Sequence, residues 1–229
     1  MPIILLLILT SAHAARITVG PEDEDFQHIQ PAIDNSSRGD IIEIHSGIYR
    51  ERINVSKAVT LLGIDTGEGT PVINASGSGS ALVLMANGTT IKGLNLTGSG
   101  QCGCGSSGIL VQSSNNTILN NVAYGNYYGI YVRPGYTNNT FIANDLIYNR
   151  VAAKDEGENL WNGILQAEGQ QSLAESAVEN QMRGNHYSDF DEPKEGCKDL
   201  NNDGLCDRRK KIDGGRSIDS CASIAVQNL

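Results

Sequence analysis

Two stretches of this chain are near-copies of each other: "NTILNNVAYGNYYGIYV" begins at Asn116, and "NTFIANDLIYN" begins 23 residues later at Asn139. A related "TTIKGLNLTGSG" starts at Thr89, and the pair Gly108-Ile109 returns 21 residues later as Gly129-Ile130. A period of this length marks a chain that stacks one small structural unit on the next. Each unit is a few short β-type runs broken by Asn or Gly, with no ten-residue helical pattern between them. A doubly wound sheet needs crossover helices that are absent here, and a sandwich would show hairpin turns rather than a fixed period. What remains is an all-β solenoid, a parallel β-helix of roughly six or seven coils spaced about 4.8 Å apart.

Such a stack exposes strand edges and apolar core at both ends, so each end needs a cap. Phe26, Ile29 and Ile33 fall at i, i+3 and i+7, which predicts a short capping helix over 26–35. Beyond it the period switches to alternation in Ile42-Glu43-Ile44 and Ile53-Asn54-Val55, followed by the apolar run Val59 to Leu62. Near the other end "SLAESAVENQM" opens with Ser172 and has Glu175 three residues on, a capping-box pattern for a helix over 172–182. The Gln-rich stretch before it and Asn180 read equally as an irregular insertion.

The first residues, "MPIILLLILTSAHAAR", carry an apolar run from Ile3 to Leu9 and the small-x-small pattern Ala12-His13-Ala14. Residues 1–14 therefore read as a signal peptide, too short for a membrane span. Export fits the cysteines and the N-x-Ser/Thr sequons at Asn35, Asn54, Asn74, Asn87, Asn95, Asn115 and Asn138. A net charge of −9, with "RRKK" at 208–211 as the one basic run, excludes nucleic acid as a partner. The expected organisation is a β-helix over 15–190, an acidic loop over 191–215 and a tail over 216–229.

That loop contains "CKDLNNDGLCD". Asp199, Asn201, Asp203, the Leu205 carbonyl and Asp207 stand at positions 1, 3, 5, 7 and 9 of a calcium loop, with Gly204 at the sharp turn. Position 12 is Lys210 where a bidentate carboxylate belongs, so a complete EF-hand is excluded; Asp189, Asp191 or Glu192 would have to fill the shell. Cys197 and Cys206 flank the loop, and a disulfide between them would pre-form it as a plug on the open end of the rod. Cys102 and Cys104 allow two readings, a thiolate pair suited to copper(I) or a surface turn whose thiols are oxidised or paired with Cys221. His28, His45, His186, Met85 and Met182 are too scattered to add to a copper site.

Catalysis on such a rod uses paired carboxylates, or a basic proton abstractor beside acidic groups. From Gly69 to Asn144 there is no Asp or Glu, and Arg133 with Asp145 and Asp155 is the best constellation available. The chain is therefore expected not to be an enzyme. Tyr124, Tyr127, Tyr128, Tyr131 and Tyr148 crowd into two coils beside Arg133 and form the expected carbohydrate-binding set, because a Tyr ring offers an apolar face and a polar tip. The other reading of these rings is an aromatic ladder that stabilises the stack.

The stretch "FQHIQPAIDNSSRGDIIEIHSGIYRERINVSKAVTLLGI" is similar to the opening of pectin-lyase-like right-handed parallel β-helix proteins. "NNTILNN", "GNYYGIYV", "LWNG" and "GNHYSDFDEPKEGCKDLNNDGLCD" resemble the NosD-type periplasmic copper-binding proteins and their carbohydrate-binding and sugar-hydrolysis repeats. The chain departs from that pattern in the long insertion before Gly184 and in a tail that carries Cys221. The resemblance implies a right-handed β-helix and a secreted, periplasmic or cell-surface location. The expected role is binding of carbohydrate or envelope glycans, with structural calcium; a copper-handling accessory protein and a polysaccharide lyase or hydrolase are the alternatives.

Overall fold

The computed structural model describes residues 14–22, 24–164 and 182–227. The expected signal peptide, save Ala14, and the expected helix over 172–182, save Met182, lie outside the described residues. The described chain winds into a parallel β-helix of about six turns, built from three sheets that run the length of the rod. In chain order each of five complete coils contributes one strand to each sheet, and Arg16–Val19 and His186–Tyr187 add one strand at either end. The first sheet holds Arg16–Val19, Ile41–His45, Thr60–Ile64, Thr90–Lys92, Thr117–Leu119 and Thr140–Ile142. The second holds Ile48–Tyr49, Val72–Asn74, Asn95–Thr97, Val122–Tyr124, Asp145–Ile147 and His186–Tyr187. The third holds Ile53–Val55, Leu82–Leu84, Ser107–Val111, Tyr128–Val132 and Val151–Asp155.

Because side chains alternate across a strand, each coil sends one or two apolar residues per strand inward, and parallel register stacks them into columns. The first sheet's column is Ile42, Leu61, Ile91, Ile118 and Phe141, all fully buried, and the Phe141 ring stacks on Trp161 with centroids 4.2 Å apart. The near-repeats seen in sequence are these registers: Thr117 pairs with Thr140, and Ile109 with Ile130. Each buried Ile, Leu or Val stabilises the fold by about 1.5–3 kcal/mol relative to an exposed one.

The corners between sheets follow a second rule. A residue with positive φ, between 51° and 75°, stands at 88, 93 and 98, again at 115, 120 and 125, and again at 138, 143 and 148. In the last two of these coils the next residue is always Asn: Asn116, Asn121 and Asn126, then Asn139, Asn144 and Asn149. Each Asn side chain points inward and bonds along the rod. Asn121 Nδ2 donates to Asn144 Oδ1 at 3.0 Å, and Asn144 Nδ2 to Asn185 Oδ1 at 2.8 Å. The same Oδ1 atoms accept backbone N–H groups from the previous coil, Asn121 N at 3.1 Å and Asn144 N at 3.0 Å. At the first corner Asn116 donates to Asn139 and Asn139 to Asn159.

Both ends are closed. At the start, the helix spans Ile29–Asn35, three residues shorter than the sequence pattern suggests. Phe26 instead forms a β-bridge with Val19, and the helix N-terminus is capped from the next coil, with Glu51 Oε1 and Oε2 accepting the N–H groups of Ile29 and Gln30. At the other end, the Cys197–Cys206 disulfide packs with Phe190 and Ile212 into the core, and the tail docks through Ser217, Asp219 and Gln227.

Replacing Asn144 by Ala strips partners from the Ile118 carbonyl, the Asn121 amide and both neighbouring ladder side chains. With each orphaned buried group costing about 1–3 kcal/mol, urea unfolding of Asn144→Ala is expected to show a loss of at least about 2 kcal/mol. A loss below about 0.5 kcal/mol, the range of a neutral surface change, refutes the ladder as a stabilising element.

Candidate functional site

The outer face of the third sheet carries one column of side chains, in the order Asn54, Val83, Leu110, Tyr131 and Lys154 along the coils. Tyr128 stands beside it on the coil of Tyr131, and every residue of Ser107–Val111 and Tyr128–Val132 is buried. For an outward face this demands a cover, and the chain between the second and third sheets supplies it. Cys102 and Cys104 are joined in a disulfide, and the turn they close lies over the tyrosines. Tyr128 donates to the Gly103 carbonyl at 3.4 Å, and Arg133 Nη2 donates to the Cys104 carbonyl at 3.0 Å. A Cβ on Gly103 would stand 2.8 Å from the Tyr127 hydroxyl.

Cations cover the remaining ring faces. Arg150 lies 5.0 Å from the centroid of Tyr127, and Lys154 lies 4.8 Å from that of Tyr131. Tyr127, Tyr128 and Tyr131 pack edge-on or tilted, with centroids 4.8 and 4.9 Å apart. The Tyr131 hydroxyl donates to Glu156, and Lys154 pairs with Glu156 at 3.0 Å. The Tyr131 hydrogen bond, then that of Lys154, holds the Glu156 carboxyl below its usual range. Burial and the Glu156 bond push the Tyr131 phenol up; burial works against the Lys154 ammonium, but Glu156 more than offsets it and its pKa rises.

The structure thus brings Tyr127, Tyr128, Tyr131 and Arg133 together, with Tyr128 and Tyr131 only 8% and 7% exposed, so these two rings offer no free stacking platform. Tyr124 and Tyr148 belong to another corner and do not stack on each other. Tyr124 is in register with Ile147, while Tyr148, in the left-handed conformation of a corner, projects into solvent at 83% exposure. What the third-sheet face does offer is a cleft of about 390 Å³ beside the disulfide turn. Val83 and Leu110 form its floor, Asn54 and Ser80 lie alongside, and Arg52 and Arg133 flank it. Sequence reading missed the contributions of Arg52, Asn54 and Ser80, because only the coil register places residues 25–29 apart side by side. A larger hollow of about 620 Å³ lies between 158–162 and 216–220, close to the end of a described stretch, and none of the sequence-predicted site residues lines it.

The other sequence-predicted groups are placed elsewhere. Asp155 is fully buried under the end cap, accepting from Asn159, Trp161 and Ser217, and Asp145 accepts from Gln227, so neither joins Arg133. In the 199–207 loop the carboxylates turn onto the loop itself: Asp199 accepts the N–H groups of Asp203 and Gly204, Asp203 accepts from Leu205 and Asn201, and Asp207 from Leu200. The carboxylates expected to complete a calcium shell have other partners, Asp189 with Lys210, Asp191 with His186 and Glu192 with Lys194. Among the described residues no three His, Cys, Asp or Glu side chains converge as a metal set.

The family model of periplasmic copper-binding protein (NosD) matches residues 70–192, more than half of the chain. The chain belongs to the NosD family. Among the described residues no copper donor set is assembled, since Cys102 and Cys104 are bonded to each other, and His28 and His45 pair with Glu51 and Glu24. The family is described as periplasmic, and among the described residues no helix is long and apolar enough to cross a membrane. No curated protein matches the chain.

One solved structure to which this NosD-family chain is similar is an alginate lyase from Paenibacillus sp. str. FPU-7. Identity is 18% and the TM-score 0.41, over 57% of this chain and 53% of the lyase, so the chain spans about half the length of that protein. The expectation that the chain is not an enzyme is corrected by this finding: the likeness assigns no activity here, but the structure it falls on is that of an enzyme. The sequence ground for that expectation also fails in space. The interval from 69 to 144 is acid-free only along the chain, because Tyr131 pairs in register with Lys154 and bonds to Glu156 of the next coil.

The lowered Glu156 pKa fixes the sign of a pH effect. Its contribution to stability is fully present above the unfolded carboxyl value near 4.5 and is lost as pH falls through the folded value. Thermal melts from pH 7 down to 3 are expected to show a shallower acid decline for Glu156→Gln than for the parent, and superimposable declines would refute the tether.

Proposed function

We propose that this NosD-family β-helix is an exported binding protein whose third-sheet cleft takes a saccharide of the cell envelope. The observation that carries this reading is the composition of the cleft: an apolar floor of Val83 and Leu110 bordered by the polar groups of Asn54, Ser80, Arg52 and Arg133. A sugar ring has the same division, with an apolar face and a rim of hydroxyls, and sites of this kind combine apolar surface with a few fixed polar groups. Residues 1–14 as an export signal and the family's periplasmic description support the location. Cys104, Gly105 and Ser106, at the turn closed by the 102–104 disulfide, complete the lining.

Calorimetric titration against a panel of envelope-derived oligosaccharides tests the reading. A binder is expected, with affinity falling at least about tenfold, a loss of about 1.4 kcal/mol, in Asn54→Ala and vanishing in Val83→Trp, which fills the floor. Binding unchanged in Val83→Trp would place the saccharide elsewhere and overturn the proposal.

Calcium at 199–207 is a second proposal, supported by two carboxylates on one short turn that Cys197–Cys206 closes. The oxidised protein is expected to melt several degrees higher in calcium than in chelator, from ligand linkage. An unchanged midpoint, or a rise that persists in Asp199→Asn/Asp203→Asn, refutes it.

A further inference from the structure

The cleft has a charge character opposite to that of the chain. The protein carries a net charge of −9, yet the ionisable side chains lining this cleft are Arg52 and Arg133, with no Asp or Glu. Neither arginine forms an ion pair with a described carboxylate. The acid near Arg133 is Glu156, already matched by Lys154 and the Tyr131 hydroxyl; Arg150 and Lys154 lie over tyrosine rings, and Arg133 itself stands 5.7 Å from the Tyr131 centroid.

The two guanidiniums are also given room. A Cβ on Gly79 would come within 3.2 Å of Arg52 Nη1, and one on Gly105 within 2.8 Å of Arg133 Nη2. Both glycines have positive φ, 63° and 125°, so the backbone there turns in a way that larger residues resist. Arg133 is tethered through Nη2 to the Cys104 carbonyl, and its buried Nε–H has no acceptor in the protein. A charged donor group left unsaturated beside an apolar floor, with like charge across from it, is complementary to an oxyanion and to little else.

We infer that the ligand of the Arg52–Arg133 cleft is an acidic saccharide, a uronic-acid-type sugar whose carboxylate is held by the two arginines while its ring lies on Val83 and Leu110. This rests on the cleft being the saccharide site and adds the charge of the ligand. Against an overall charge of −9, the two arginines attract an acidic saccharide locally, and its binding weakens with salt.

The test is calorimetric binding by the mature, oxidised protein of a uronate-containing oligosaccharide, its carboxyl-reduced counterpart, a phosphorylated saccharide and inorganic phosphate, each at low and at physiological salt. The uronate oligosaccharide is expected to bind at least about tenfold tighter than the carboxyl-reduced form, the scale of one charge-assisted bidentate contact. The preference should disappear in Arg52→Gln and in Arg133→Gln and survive in part in Arg133→Lys, with melting temperatures reported for each. If Arg133→Gln melts early, Arg52→Gln, on an exposed side chain, decides alone. Equal binding of the acidic and reduced forms overturns the inference and leaves the saccharide reading standing. Preference for the phosphorylated saccharide or for phosphate overturns the carboxylate assignment, and failure of every saccharide overturns both readings.

Discussion

Bonding of buried asparagine side chains along the rod is the constraint on which the later coils depend. A parallel β-helix must turn its backbone three times per coil, and each turn leaves N–H and C=O groups facing the interior with no strand neighbour to pair with. Here a left-handed residue makes the turn, and the following Asn reaches inward to satisfy those groups in both axial directions. Because each amide accepts from one coil and donates to the next, the bonds reinforce one another and fix the register of these coils. A one-residue slip there would bury a polar group without a partner at every Asn corner at once.

A ladder of amides has to end, and both long ladders end on carboxylates. Asn159 donates to Asp155, and Asn185 donates to Asp219. A carboxylate accepts and offers no donor, so it can close a donor–acceptor chain that another Asn would merely extend. Asp219 accepts from the Asn185 and Cys221 amides, the Asn185 side chain and the Tyr187 hydroxyl. Burial pushes its pKa up despite those bonds, and it pushes the Tyr187 phenol far up as well. Asp219, in the tail, is therefore the terminator of the Asn185 ladder, and the Cys197–Cys206 loop bonds to the tail beside it, Cys206 N donating to the Ala222 carbonyl at 2.8 Å.

The coil pairing and the core columns were legible because both follow from a period in one dimension: Ile109 with Ile130 and Thr117 with Thr140 can be read directly. The Asn ladders were present in the same letters, as a left-handed residue followed by Asn every five positions, but the pattern looks like ordinary turn composition until the corners are seen to lie inside. The short helix was misjudged at Phe26 because the cap comes from Glu51, more than 20 residues away. The cover over Tyr128 and Tyr131 was illegible for a related reason. Adjacency in sequence predicted a cluster and could not show that the disulfide turn and the cations Arg133, Arg150 and Lys154 would lie over its rings.

The absence of acids from 69 to 144 takes on a different meaning in three dimensions. It does not describe a rod without carboxylates, since Asp155 and Glu156 enter the stack from the following coil. What it does is clear one face: most of the cleft lining, from 79 to 133, comes from that interval, and Arg52 and Asn54 arrive from the coil before it. A chain with a net charge of −9 can present an unopposed pair of arginines only where its acids are excluded from several successive coils, because in a solenoid the residues one coil away are the nearest neighbours. The long acid-free interval, the glycines that make room for both guanidiniums and the tether on Arg133 are therefore three consequences of one local requirement, a cationic spot held rigidly against an apolar floor.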